Sequence, residues 1–122
     1  MIKVLIVDDE SVFREHLVEL LHFEGYDAYG AADGILAIES ALQLQPDLII
    51  CDIMMPLLDG YAVLKTLRQN ASTAHIPFIF ISALPVSSLG NLLLNHRATA
   101  YLAKPFTYKE FLKTIQTSIA VA

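Results

Sequence analysis

The run Leu48-Ile49-Ile50-Cys51-Asp52, continued by Ile53-Met54-Met55-Pro56, restricts this chain more than any other stretch. Aliphatic residues follow one another without the polar alternation of a half-exposed strand, and the run is short for a helix. It reads as a strand buried on both faces, which requires neighbouring strands and a helical layer on each side. A charge and then a proline end it, so Asp52 stands at the strand mouth where the chain enters a loop. A lone Asp there most simply caps a turn. Any chemistry has to be argued from its surroundings.

Those surroundings repeat the same plan. Residues 2–7 are an apolar run broken only by Lys3, a first buried strand, with Asp8-Asp9 where it stops. From Ser11, Val12, Leu17, Leu20 and Leu21 recur at helical spacing against Arg14, Glu15, Glu19 and Glu24, and Gly25 closes the helix. Residues 27–31 form a weak, edge-like strand, after which Asp33 caps a helix carrying Leu36, Ile38, Ala41 and Leu42 and ending near Gln45-Pro46. Asp59 caps a third helix with Leu64 and Leu67 inward and Lys65 and Arg68 outward. Residues 76–81 form the next strand, ending in Ser82-Ala83, and a helix follows over about 86–95. Residues 100–103 are a short last strand ending in Lys104-Pro105. Thr107 and Glu110 have capping-box spacing before a final helix with Phe111, Leu112, Ile115 and Ile119 on its buried stripe.

Five strands alternating with five helices imply an α/β fold: a doubly wound parallel sheet with right-handed crossovers and helices on two faces. Strand order 2-1-3-4-5, the flavodoxin-like arrangement, puts ligands outside the carboxyl ends of the strands, between strands 1 and 3. The 122 residues suit one domain, and 55% apolar residues with a mean hydropathy of +0.52 suit a sheet covered on both sides. No apolar run approaches the roughly 20 residues of a membrane-crossing helix. Carboxylates at Asp8 and Asp9 come too early for a signal peptide, so a cytoplasmic protein is expected. The net charge of −5 without a Lys/Arg cluster argues against direct nucleic-acid binding. One cysteine and four scattered histidines argue against an internal disulfide and a zinc site. Cys51 reads as a small buried strand residue.

In this order the strand ends bring together Asp8 and Asp9, Asp52, Ser82 and Lys104. Carboxylates at one edge repel by about 4 kcal/mol per pair at roughly 4 Å and an effective dielectric of about 20. A cation is therefore required. Lys104 supplies one charge, and the oxygen-only donor set favours Mg²⁺, which binds through one or two carboxylates and keeps waters that a phosphate can replace. A carboxylate beside a dication, a lysine and a hydroxyl is suited to phosphoryl transfer, with the carboxylate itself as nucleophile.

The Asp8-Asp9 pair, Asp52 followed by Met55-Pro56 and Asp59-Gly60, Ser82-Ala83 and Lys104-Pro105-Phe106 together resemble the receiver domain of two-component response regulators, the CheY-like family. The resemblance covers essentially residues 1–122. It implies a phosphoacceptor switch rather than a turnover enzyme, with Asp52 taking a phosphoryl group from a sensor histidine kinase, a histidine phosphotransfer protein or a small phosphodonor. By the same resemblance Asp9 would bind Mg²⁺ directly, Asp8 mostly through water, and the Met54 carbonyl would complete the protein ligands. Lys104 would pair with a phosphoryl oxygen, its bond to Pro105 being cis. Ser82 would turn toward the phosphate, and Tyr101 would swing inward, reshaping the face made by the fourth helix, fifth strand and fifth helix for a downstream effector domain or protein. Two plainer roles fit the same residues: Ser82 satisfying a strand-end amide, and Tyr101 as a static half-buried aromatic.

The sequence departs from the family in one region. Residues 77–96 carry no charge, and His96-Arg97-Ala98-Thr99 replaces the usual turn before the last strand. The charged contacts by which OmpR-like relatives dimerise have few candidates here; the plain account is a helix packed more deeply, and the sharper one is an apolar partner or dimer surface over Leu89, Leu92 and Leu93. The rival readings are a constitutive interaction module that makes no use of phosphorylation and, ranked last because Met54 stands where the second Asp of an Asp-x-Asp motif would be, an aspartate-nucleophile phosphohydrolase.

Overall fold

The computed structural model describes residues 1–84 and 98–121. The chain runs β1 (Lys3–Val7), α1 (Ser11–Phe23), β2 (Asp27–Ala31), α2 (Gly34–Leu44), β3 (Leu48–Asp52), α3 (Gly60–Gln69), β4 (Phe78–Ser82), β5 (Ala100–Ala103) and a C-terminal helix (Tyr108–Val121). The sheet is parallel throughout, in the order β2-β1-β3-β4-β5 expected from the sequence. The helix expected over 86–95, with its apolar face at Leu89, Leu92 and Leu93, lies outside the described residues.

Alternation along the central strands divides the interior into two cores, because successive side chains leave a strand on opposite faces. Leu5, Val7, Ile49, Cys51, Phe78 and Phe80 meet Ala37, Ala41, Val63, Leu64 and Leu67 on one side. On the other, Val4, Ile6, Leu48, Ile50, Ile79 and Ile81 meet Leu17, Leu21, Phe111 and Ile115. All five residues of β3 are buried, as its unbroken apolar run requires.

The helix starts obey the capping expectations. Asp33 Oδ1 accepts from the Leu36 N–H at 2.8 Å, and Asp59 Oδ1 from the Ala62 N–H at 2.9 Å. Both halves of the Thr107–Glu110 box are made, at 2.9 and 3.0 Å, and the Thr107 N–H that donates to the Glu110 carboxylate is the main cause holding that carboxyl below its usual range. Gly25 ends α1 at φ 90°, a conformation that favours glycine.

Some side chains depart from their helical stripe. Val12 is 80% exposed, and Leu36 and Leu42 also face solvent, since Ala37 and Ala41 make the close contact of α2 with the sheet. Arg68, read as outward-facing, folds back so that Nη1 donates to the Ala74 and Ile76 carbonyls at 3.1 and 2.7 Å. It thereby ties the α3–β4 connection.

The β3–α3 loop contains Leu57 at φ 69°, with its side chain 95% exposed. A left-handed Leu gives up backbone energy and gains no burial in return. Leu57→Asn, whose short side chain tolerates this region, is expected to stabilise the fold by about 0.5–1 kcal/mol in urea unfolding. An equal loss would show that the exposed leucine has a packing role.

Candidate functional site

Strand register alone places the site. Val7 pairs with Cys51, so Asp8 and Asp52 emerge side by side. Asp52 pairs with Ile81, which puts Ser82 one step beyond, and Ser82 pairs with Ala103, which puts Lys104 next. The Lys104 N–H donates to the Ser82 carbonyl at 2.8 Å, carrying the ladder past the end of β5.

The side chains then converge. Lys104 Nζ lies 3.1 Å from Asp8 Oδ2 and 3.3 Å from Asp52 Oδ2. Asp8 is fully buried, Asp52 is 7% exposed, and Asp9 faces solvent at the rim. Backbone amides hold the other carboxylate oxygens: Glu10 N–H donates to Asp8 Oδ1 at 2.9 Å and Met54 N–H to Asp52 Oδ1 at 3.3 Å. The Lys104–Pro105 bond is cis.

Burial is the largest influence on Asp52 and pushes its carboxyl above the usual range; Lys104 pulls it back only in part, and Asp8 pushes further. Burial also opposes the Lys104 charge, but the Asp52 and Asp8 carboxylates outweigh it and raise the ammonium above its ordinary value. By charge count, the single Lys104 ammonium stands against the three carboxylates of Asp8, Asp9 and Asp52. Burial pushes the neighbouring Cys51 thiol well up, in keeping with an inert core residue.

Oxygens of Asp8, Asp9 and Asp52 lie within 4.8 Å of one another. Two Mg–O bonds in line span about 4.2 Å, so a small closure of these side chains would bring them to ligand distance. The hard, oxygen-only donor set and the uncompensated charge fit Mg²⁺. The side chain of Met54 is exposed, and its bonded N–H places its backbone beside Asp52.

Ser82 and Tyr101 adjoin this cluster in specific roles. Ser82 is buried and its Oγ accepts the Leu84 N–H at 3.1 Å, which is the strand-end role. The half-buried Tyr101 hydroxyl is shared between the Ser82 carbonyl, at 3.1 Å, and the Leu84 carbonyl. Tyr101 is therefore tied to the chain just beyond β4.

Two residues near the site were not legible as such. Arg14, read as an outward charge, donates from Nη1 to the Asp8 carbonyl at 2.8 Å and lies over Gly30, where a Cβ would come 3.2 Å from its Cδ. Phe13 places its ring centroid 4.4 Å from Lys104 Nζ. Both sit on the first turn of α1, which begins where the Asp8-Asp9 pair ends. That proximity was the available signal.

Comparison with known proteins agrees with this geometry. The family model of the response regulator receiver domain matches residues 4–116. The master transcriptional regulator RpaA of Synechocystis is 37% identical over 116 residues, covering 95% of this chain and 48% of its own length. The chain spans about half the length of the first curated relatives it matches. Chemotaxis protein CheY4 of Vibrio cholerae superposes with a TM-score of 0.92 at 31% identity, covering 97% of this chain and 98% of its own. The receiver domain of a sensor histidine kinase from Pseudomonas aeruginosa, solved with a magnesium ion coordinated in its active-site cleft, gives a TM-score of 0.87 at 30% identity, covering 97% of each chain. Fold, register and sequence lead to one conclusion: the chain belongs to the response regulator receiver domain family of two-component signalling.

Proposed function

We propose that residues 1–122 act as one receiver domain, a phosphoacceptor switch in which Asp52 takes a phosphoryl group from a phosphohistidine. The observation that carries this reading is the Lys104 ammonium set between Asp8 and Asp52, 3.1 and 3.3 Å away, at the mouth of a fully buried strand. Asp8, Asp9 and Asp52, with the Met54 carbonyl, would hold Mg²⁺, which when bound neutralises the phosphoryl oxygens.

An Asp52 carboxylate oxygen attacks phosphorus, the P–N bond breaks, and its electron pair returns to the imidazole nitrogen of the donor. Asp52 becomes an acyl phosphate. The Met54 N–H keeps Oδ1 oriented, so the free direction of the carboxylate faces the donor. Lys104 follows the negative charge from the carboxylate to the phosphoryl oxygens. Ser82 Oγ, released from the Leu84 amide, donates to a phosphoryl oxygen, and Tyr101 moves inward as its carbonyl partners rearrange. The domain assists its own phosphorylation and dephosphorylation and turns over no separate substrate. It works in the cytoplasm, and its partners are a sensor histidine kinase or histidine phosphotransfer protein and a downstream effector domain or protein.

Incubation with acetyl phosphate and Mg²⁺ tests this. Intact mass should rise by one phosphoryl group in the wild type, with no gain in Asp52→Asn or in EDTA. No gain in the wild type, or a gain that survives Asp52→Asn, would instead support a constitutive interaction module.

A further inference from the structure

From the contacts of the Lys104 ammonium, we infer that Phe13 is a positioning residue for phosphoryl transfer, holding the Lys104 ammonium at the site through its ring face. This rests on the phosphoacceptor reading of Asp52, and its test is arranged so that the two fail separately.

An ammonium has three donors and no acceptor. Asp8 Oδ2 and Asp52 Oδ2 occupy two directions, and the Phe13 centroid lies 4.4 Å from Nζ on a third side. That is within cation–π range, and such contacts strengthen when the cation is desolvated. Lys104 meets this condition, because its side chain is only 19% exposed.

The ring is itself fixed. Phe13 packs edge-on against Phe106, with centroids 6.0 Å apart and planes at 67°. Phe106 stacks on Phe111 at 5.4 Å and 16°, and Phe111 is 1% exposed in the core beneath β4 and β5. Three rings therefore connect the rigid interior to the ammonium, and the last of them fixes the side from which Lys104 is held.

This matters during transfer because both carboxylate partners change. When Asp52 is esterified its oxygen no longer carries the charge that Lys104 pairs with. Asp8, one of the residues that would hold Mg²⁺, would then be shared between Lys104 and the metal. The ring is a neutral partner whose attraction neither event removes. A residue that keeps the ammonium near its position while charge moves from carboxylate to phosphoryl lowers the reorganisation needed at the moment of reaction. An aliphatic side chain of similar size would fill the space and supply no such attraction.

The test compares Phe13→Leu with Phe13→Tyr. Tyr restores the ring face, and the cavity of about 340 Å³ lined by Phe13, Ala83, Lys104, Pro105 and Phe106 gives its hydroxyl room. Phe13→Leu is expected to take up phosphoryl from acetyl phosphate about 5- to 10-fold more slowly at saturating Mg²⁺, while Phe13→Tyr stays within about twofold of wild type. Mg²⁺ affinity should be similar in all three proteins. In NMR spectra without phosphodonor, the Lys104 ε-methylene protons should be shifted upfield by the ring in wild type and Phe13→Tyr, and unshifted in Phe13→Leu. Uptake by Phe13→Leu at the wild-type rate, or equal slowing in Leu and Tyr, overturns the inference, because a space-filling role predicts one or the other. Wild type that takes up no phosphoryl group removes the Asp52 reading and with it any role of Phe13 in transfer; the NMR comparison decides separately whether Phe13 holds Lys104, and absence of the shift in wild type overturns that.

Discussion

Gly60→Ala is expected to cost about 2–3 kcal/mol of stability and to slow phosphoryl uptake by about a hundredfold. A Cβ on Gly60 would lie 2.4 Å from the Asp52 carbonyl oxygen and 2.9 Å from Ile53 Cα. Both atoms are backbone, so no side chain can rotate away. The contact exists because α3 starts hard against the end of β3, where the Gly60 N–H donates to the Ile53 carbonyl at 2.9 Å. Relief requires moving either α3 or the last residue of β3, and the latter is Asp52, the proposed phosphoacceptor. Urea unfolding and acetyl phosphate labelling read the two effects independently. Stability within about 0.5 kcal/mol of wild type would mean that α3 gives way freely, and labelling should then be normal as well.

In metal-free buffer at neutral pH, Lys104→Met should lose about 2–3 kcal/mol, because it leaves the fully buried Asp8 and the nearly buried Asp52 without their cation. The figure is below that for a fully buried pair because the Lys104 side chain is 19% exposed. Added Mg²⁺ should restore part of the loss, since a dication takes the ammonium's place, and by mass action the midpoint should keep rising with metal concentration. The pH dependence has a definite sign. Burial holds the Asp52 carboxyl above its usual range, and such a group favours the folded state below its unfolded pKa, a contribution lost as pH rises through the folded value. Without Lys104 this loss deepens, so the deficit of the variant should narrow as pH falls through the range in which Asp52 is protonated. Equal melting temperatures in EDTA at pH 7 would contradict the pairing.

The sheet was readable because β3 leaves so little choice: an unbroken apolar run ending in Asp52 fixes a doubly covered strand, and the neighbouring runs then fall into order. Strand-end placement of Asp8, Asp52, Ser82 and Lys104 followed from that order. The limits were of another kind. Helical periodicity assigned Val12 and Leu36 to buried stripes, but the small Ala37 and Ala41 bring α2 close to the sheet and leave Leu36 outside. Composition marked Arg14 and Arg68 as surface charges, whereas both guanidinium groups reach backbone carbonyls that their own helices do not reveal. The capping role of Asp59 was legible, but the reason for Gly60 was not, since it lies in an approach between segments that no local pattern encodes. Phe13 was passed over for the same reason: its partner is Lys104, from the far end of the chain.

That distance has a consequence for synthesis. Lys104 and Asp8 are 96 positions apart, and β5 is the last strand of the sheet to leave the ribosome. A nascent chain that ends between Asp52 and Lys104 carries Asp8, Asp9 and Asp52 but lacks the ammonium that pairs with Asp8 and Asp52. On the proposed reading, the phosphoacceptor pocket is therefore complete only after the segment that follows β5 has been made.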